Sequence, residues 1–167
     1  MIAGIAFAFA CSSPPPAAPR NEATNEGPGA DSIKQYFDAY AKGDWSAMRA
    51  AYHDTANVFH NASVKMTADS IIAFHKARRE AYEKVETTVY VPLVLKMGAG
   101  SMAGEHWRIG WADINLTVKG TGEVVRLPIN IAWMIKDGKI VREHAFYNSL
   151  GIYQALMKAQ EQASTKK

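Results

Sequence analysis

Apolar residues recur along this chain first with a helical period and then with a period of two. Ile33, Tyr36, Phe37, Tyr40 and Ala41 fall on one helical face. Ser32 and Gln35 ahead of that face have capping-box spacing, so the helix is expected to open near Asp31. Gly43 is a natural terminator. Asp44 is placed to cap a second, short helix carrying Trp45, Met48, Ala51 and Tyr52. Residues 57–61 read as a short strand, with Val58 and His60 on one side and Phe59 on the other. Thr67 is placed to cap a third helix reaching about residue 83, with Ile71, Phe74, Ala81 and Tyr82 inward.

From residue 86 the alternation is that of strands. Residues 86–97 are β-branched and apolar. Residues 105–118 alternate through Trp107, Ile109, Trp111, Asp113 and Asn115. Residues 123–136 alternate through Val125, Leu127, Ile129, Ile131, Trp133 and Ile135. Asp137-Gly138 is a strong hairpin signal, and residues 139–147 form the returning strand. Residues 149–162 read as a last helix. Three helices with a short strand among them, then four long antiparallel strands, make an α+β domain. A long curved sheet folded over helices encloses a cone with room for a pocket between the layers.

Residues 11–30 are rich in Pro, Ala, Asn, Glu and Gly and read as a flexible linker ahead of a domain over 31–162, with 163–167 as a tail. The single cysteine, Cys11, follows an apolar run ending in Ala8-Phe9-Ala10. That arrangement resembles the lipobox of bacterial lipoproteins. It implies a signal peptide over 1–10, a lipidated Cys11, and a domain tethered to a membrane of the cell envelope, facing the periplasm or the exterior. The other reading of Cys11 is a free thiol in an unpacked tail. One cysteine permits no intramolecular disulfide, so packing alone must stabilise the domain. No segment has the roughly 20 apolar residues of a bilayer span. The net charge of +3 is small and scattered, so no nucleic-acid partner is expected.

Two cofactor signals fail on context. Residues 98–103 match a dinucleotide fingerprint, but that motif must open a helix, and a strand follows from Glu105. The five histidines show no His-x-His or His-Glu-x-x-His spacing. No cofactor and no metal are therefore expected.

Three stretches resemble the SnoaL-like group of the nuclear-transport-factor-2-like superfamily. They are residues 33–45, with their Gly-Asp-Trp turn; residues 52–61, similar to a segment that often reads Asp-Asp-Ala-Val-Phe-His; and residues 137–148, followed by Leu150 and Gln154-Ala155-Leu156. The likeness covers roughly residues 31–158. It implies a cone-shaped fold, three N-terminal helices packed on a curved antiparallel sheet, often dimeric through the sheet, with a central pocket. The superfamily includes cyclases, isomerases, epoxide hydrolases, dehydratases and members without catalysis, so the fold leaves the function open.

Many catalytic relatives carry an acid where this chain has Asn148, and an amide does not exchange protons near neutral pH. Asn148 is expected either to orient a ligand or to cap the last helix. His60 stands at a position that commonly faces the pocket in relatives and is the candidate general base, the alternative being a histidine bonded to backbone. Asp113, among aromatic residues, is the candidate acid, the alternative being an exposed carboxylate near a sheet edge. Tyr36, Tyr40, Phe59, Trp111, Asn130 and His144 are candidates for binding a ligand; the aromatics among them serve equally as core. His144 and Asn148 share parity, on either the concave interior or the dimer surface. Two functions follow. One is a lipid-anchored domain that binds a small, partly apolar molecule, with or without metal-free acid/base catalysis. The other is a non-catalytic homodimerisation or protein-interaction module of the envelope.

Overall fold

The first helix obeys the amphipathic pattern but not the predicted start. In the computed structural model, which describes residues 18–61 and 64–165, α1 spans Pro28–Lys42. Gly27, at φ 84°, precedes it with no side-chain cap, and Pro28 presets the first helical turn. Ser32 lies inside the helix, and its hydroxyl donates to the Gly29 carbonyl at 2.7 Å instead of capping. Gly43 takes the left-handed conformation at φ 73°, and the Asp44 N–H reaches back to the Ala39 carbonyl at 2.9 Å, a Schellman closure. Asp44 caps α2 (Trp45–Ala50) through Ala47 N–H at 3.0 Å, and Thr67 caps α3 (Ala68–Arg79) through Ser70 N–H at 3.1 Å. The helix α4 spans Leu150–Thr165.

Six strands form one sheet: β1 (Glu22–Thr24), β2 (Tyr52–His60), β3 (Tyr82–Lys96), β4 (His106–Val118), β5 (Val124–Lys136) and β6 (Lys139–Tyr147). Their order is β1-β3-β4-β5-β6-β2. The pairs from β3 to β6 are antiparallel as expected, whereas β2 runs parallel to β6. Beyond the start of α1, three elements differ from the sequence reading. The third helix, read to about residue 83, ends at Arg79, and Tyr82 opens β3. Residues 22–24, read as linker, add an edge strand to β3. Tyr52, read as the end of the second helix, opens β2. Asp137 and Gly138 both sit at positive φ (51° and 75°), as a type I′ hairpin requires.

The sheet curves without closing, the cone expected of the nuclear-transport-factor-2-like fold. Its concave face carries Ala112, Ile114, Leu116 and Val118 from β4 and Leu127, Ile129, Ile131 and Trp133 from β5, all buried. The helix α1 crosses this face so closely that a Cβ on Gly110 would lie 2.9 Å from Ile33 Cγ2. The odd-numbered residues of β4, Trp107 to Asn115, therefore point to the convex face. On α3 the inward stripe is Ile71 and His75, while Phe74 is exposed, with the Arg78 guanidinium 5.1 Å above its ring. Among the described residues no helix is long and apolar enough to cross a membrane.

Candidate functional site

A charged residue sits where the alternation of β6 demands an apolar one. Glu143 shares inward parity with Ala145 and is fully buried, in register with Trp133 of β5 and Val58 of β2. Both of its oxygens are occupied. The Tyr52 hydroxyl and the Trp133 indole N–H, the latter at 2.7 Å, donate to Oε2. Oε1 meets His60 Nε2 at 2.5 Å. Burial alone would raise the carboxyl pKa. The hydrogen bonds from His60, Tyr52 and Trp133 outweigh burial and hold it below the usual range, so Glu143 is a carboxylate. Tyr36 adds a second tier, its hydroxyl 2.6 Å from that of Tyr52. Burial, and then the Glu143 charge, push the phenols of Tyr36 and Tyr52 well up, so both remain protonated.

This buried base sets the histidine. With Nε2–H committed to Glu143, His60 turns Nδ1 toward the Tyr147 hydroxyl, 3.4 Å away, and toward a pocket. The pocket lies between α1, α3 and the concave sheet and is walled by Phe37, Ile114, Leu127 and Ile129. Tyr40, His75, Arg78 and Tyr147 supply its other polar groups. Its void is about 490 Å³ with the open mouth included, but only about 40 Å³ is open to the centre of a water molecule. A single water needs roughly 10–15 Å³ on that measure, so the inner part is a narrow throat. The His75 ring lies 5.5 Å from that of His60 and 5.3 Å from that of Tyr40. Desolvation lowers the His75 pKa to about 3, so the ring is neutral. Burial raises Tyr40 to about 12, with the nearby Arg78 charge acting against it. Among the described residues no group of three His, Cys, Asp or Glu side chains is arranged to hold a metal ion.

The family model for the SnoaL-like domain matches residues 33–143. The chain belongs to this family. No curated protein matches the SnoaL-like chain in sequence. Solved structures do match in fold. A candidate SnoaL-like polyketide cyclase from Jannaschia sp. CCS1 superposes with a TM-score of 0.62 at 15% identity, covering 80% of this chain and 96% of that one. PrhC from Penicillium brasilianum gives 0.62 at 9% identity, over 83% and 91% of the two chains. An LEH-like epoxide hydrolase from M. tuberculosis gives 0.54 at 11% identity, over 82% and 95%.

Within this SnoaL-like domain the residues singled out in sequence divide between two faces. His60, Tyr36 and Tyr40 are together, with His60 and both tyrosines lining the pocket. Phe59, Trp111, Asp113, Asn130 and His144 are on the convex face, because strand parity turns them away from the residues that line the pocket. Asp113 is paired with Arg126 at 2.6 Å and so does not join His60. His144 stacks between Phe59, at 4.9 Å, and Phe146, at 6.4 Å. Asn148 is exposed and accepts the Leu150 N–H at 2.9 Å at the start of α4, the capping alternative. Cys11 lies outside the described residues. Sequence reasoning missed Glu143, Tyr52, Trp133 and His75. Glu143 did leave a signal, a lone acid at inward parity in a strand flanked by others.

Proposed function

We propose that this SnoaL-like domain binds a small, partly apolar molecule in the pocket beside His60, and that the Glu143–His60 pair performs acid/base chemistry on it. The observation that carries this reading is the buried Glu143 carboxylate, saturated with donors and aimed at the one histidine nitrogen that leaves the other facing the pocket. His60 Nδ1 would take a proton from the bound molecule. The Glu143 charge would stabilise the imidazolium that results, and Tyr52 and Trp133 would hold Glu143 still while it does so. Return of that proton to a different atom is isomerisation, and its return to a leaving oxygen is dehydration. Abstraction from a water instead gives hydrolysis. The structural neighbours include a named epoxide hydrolase and a candidate cyclase, and both chemistries fit a positioned base in an apolar cavity.

The test is a panel of enolisable ketones, β-hydroxy ketones and epoxides, followed by solvent deuterium incorporation and product formation. Wild type should turn over at least one class. His60→Gln should lose that turnover with its thermal midpoint nearly unchanged. Turnover that survives the substitution contradicts the role of His60.

The domain is proposed to work at the cell envelope, anchored through Cys11. The apolar run before Cys11 and the Pro-rich tether after it support this. Cys11→Ala should move the protein from the membrane to the soluble fraction; equal membrane association in both forms counts against it.

The convex face favours a second reading, a homodimer. Val91, Trp111 and Phe146 are exposed on adjacent strands, in register through Asn130. Beside them, Asp113 Oδ1 is buried without a hydrogen-bond partner among the described residues. An apolar row of this kind marks an interaction surface. Trp111→Asp should convert a dimer to a monomer in sedimentation equilibrium while the pocket still binds its ligand.

A further inference from the structure

The pocket holds a cation with no counter-ion. Of the other arginines, Arg49 pairs with Asp54 and Asp69, and Arg126 with Asp113, whereas Arg79 of α3 instead donates to the Tyr82 carbonyl. Arg78 lines the pocket, half-buried, and among the described residues no carboxylate lies within ion-pair distance of it. Its guanidinium rests on the Phe74 ring, which fixes its plane without neutralising it. The only carboxylate of the site, Glu143, already accepts from Tyr52, Trp133 and His60 and cannot serve it.

Two further donors near Arg78 are also uncommitted. The Tyr40 hydroxyl and the His75 imidazole line the same pocket, and neither has a hydrogen-bond partner among the described residues. Both stay in their neutral, hydrogen-carrying forms at neutral pH. Beyond them the wall is aliphatic and aromatic. One end of the pocket therefore offers a planar cationic fork with two neutral donors, and the rest offers apolar surface.

Resting on the reading of this pocket as a ligand site, we propose that it takes a small carboxylic acid with a short apolar body. Its carboxylate sits between Arg78, Tyr40 and His75, and its body points into the throat toward His60. A carboxylate suits the fork because its two oxygens match the two parallel N–H groups of a guanidinium. The throat limits the body to a short chain, since only about 40 Å³ of it is open to the centre of a water molecule, whereas a cavity that accommodates benzene is about 150 Å³.

Propionate and propionamide are matched probes, alike in shape and different in charge. Each is titrated into the full-length protein, and the ring signals of His60 and His75 are followed by NMR. The inference predicts that propionate binds about tenfold or more tighter than propionamide. Arg78→Met should erase that preference, and Arg78→Lys should restore part of it. Thermal unfolding of each variant verifies that the fold survives. Equal binding of the two probes, or a preference that outlives Arg78→Met, overturns the carboxylate inference while leaving the pocket reading intact. Failure of both probes to bind or to move either histidine overturns the pocket reading and this inference with it.

Discussion

His75 should make this protein acid-sensitive in a way that one substitution removes. Its ring is desolvated between α1, α3 and the sheet, with the Arg78 charge nearby, and its pKa falls to about 3. In the unfolded chain the same group titrates near its ordinary value of about 6.5. A base with a depressed folded pKa takes up its proton in the unfolded state first. Its contribution to stability is therefore complete above about pH 6.5 and declines as the pH falls toward 3. The slope in that window is about 1.4 kcal/mol per pH unit, so acidification from about pH 7.5 to about pH 4.5 removes roughly 2.5 kcal/mol. Urea unfolding of wild type and His75→Gln at both pH values measures it. Shifts shared by both proteins, including those of Glu143, cancel in the comparison. The variant should lose about 2 kcal/mol less on acidification than wild type. Parallel losses in the two proteins would refute the desolvated, neutral His75.

Other substitutions test the packing around the site. Glu143→Leu strands the Tyr52 hydroxyl, the Trp133 indole and His60 without their acceptor. It should cost about 3–5 kcal/mol in urea unfolding, and Glu143→Gln distinctly less. Gly110→Ala places a Cβ 2.9 Å from Ile33 and 3.2 Å from Ile131, which should lower stability by about 1–3 kcal/mol through displacement of α1. Gly138→Val meets open space but sits at φ 75°, so a loss of about 1–2 kcal/mol there isolates backbone strain from crowding.

What was legible in the sequence is what local chemistry decides. Asp44, Thr67, Gly43 and Asp137-Gly138 each specify a cap or a turn through atoms a few residues away, and each appears in the structure as read. The start of α1 was less legible because Gly27 and Pro28 act through backbone conformation and not through a capping side chain. Faces were harder than elements. On α3, Phe74 and His75 satisfy the helical period equally, and it is His75 that turns inward, against the rings of Tyr40 and His60. On β4, the aromatic series at Trp107, Ile109 and Trp111 suggested a core, yet α1 approaches too closely for anything but small residues, so Gly110 and Ala112 face it. Of the network at Glu143, only the acid itself left a signal, at inward parity in its strand. Its partners, Tyr52 and His60, lie 91 and 83 residues earlier in the chain, and the parallel pairing of β2 with β6 alone brings them together.

That network is also where the account is most exposed to experiment. Long-range ¹H–¹⁵N correlation of the histidine rings reports which nitrogen of His60 carries the committed proton. The structure predicts a proton on Nε2, strongly hydrogen-bonded and shifted far downfield, that returns toward ordinary positions in Glu143→Gln, while Nδ1 responds to molecules entering the pocket. A His60 protonated on Nδ1 alone, indifferent to Glu143→Gln, would contradict the oriented base on which the proposed chemistry depends.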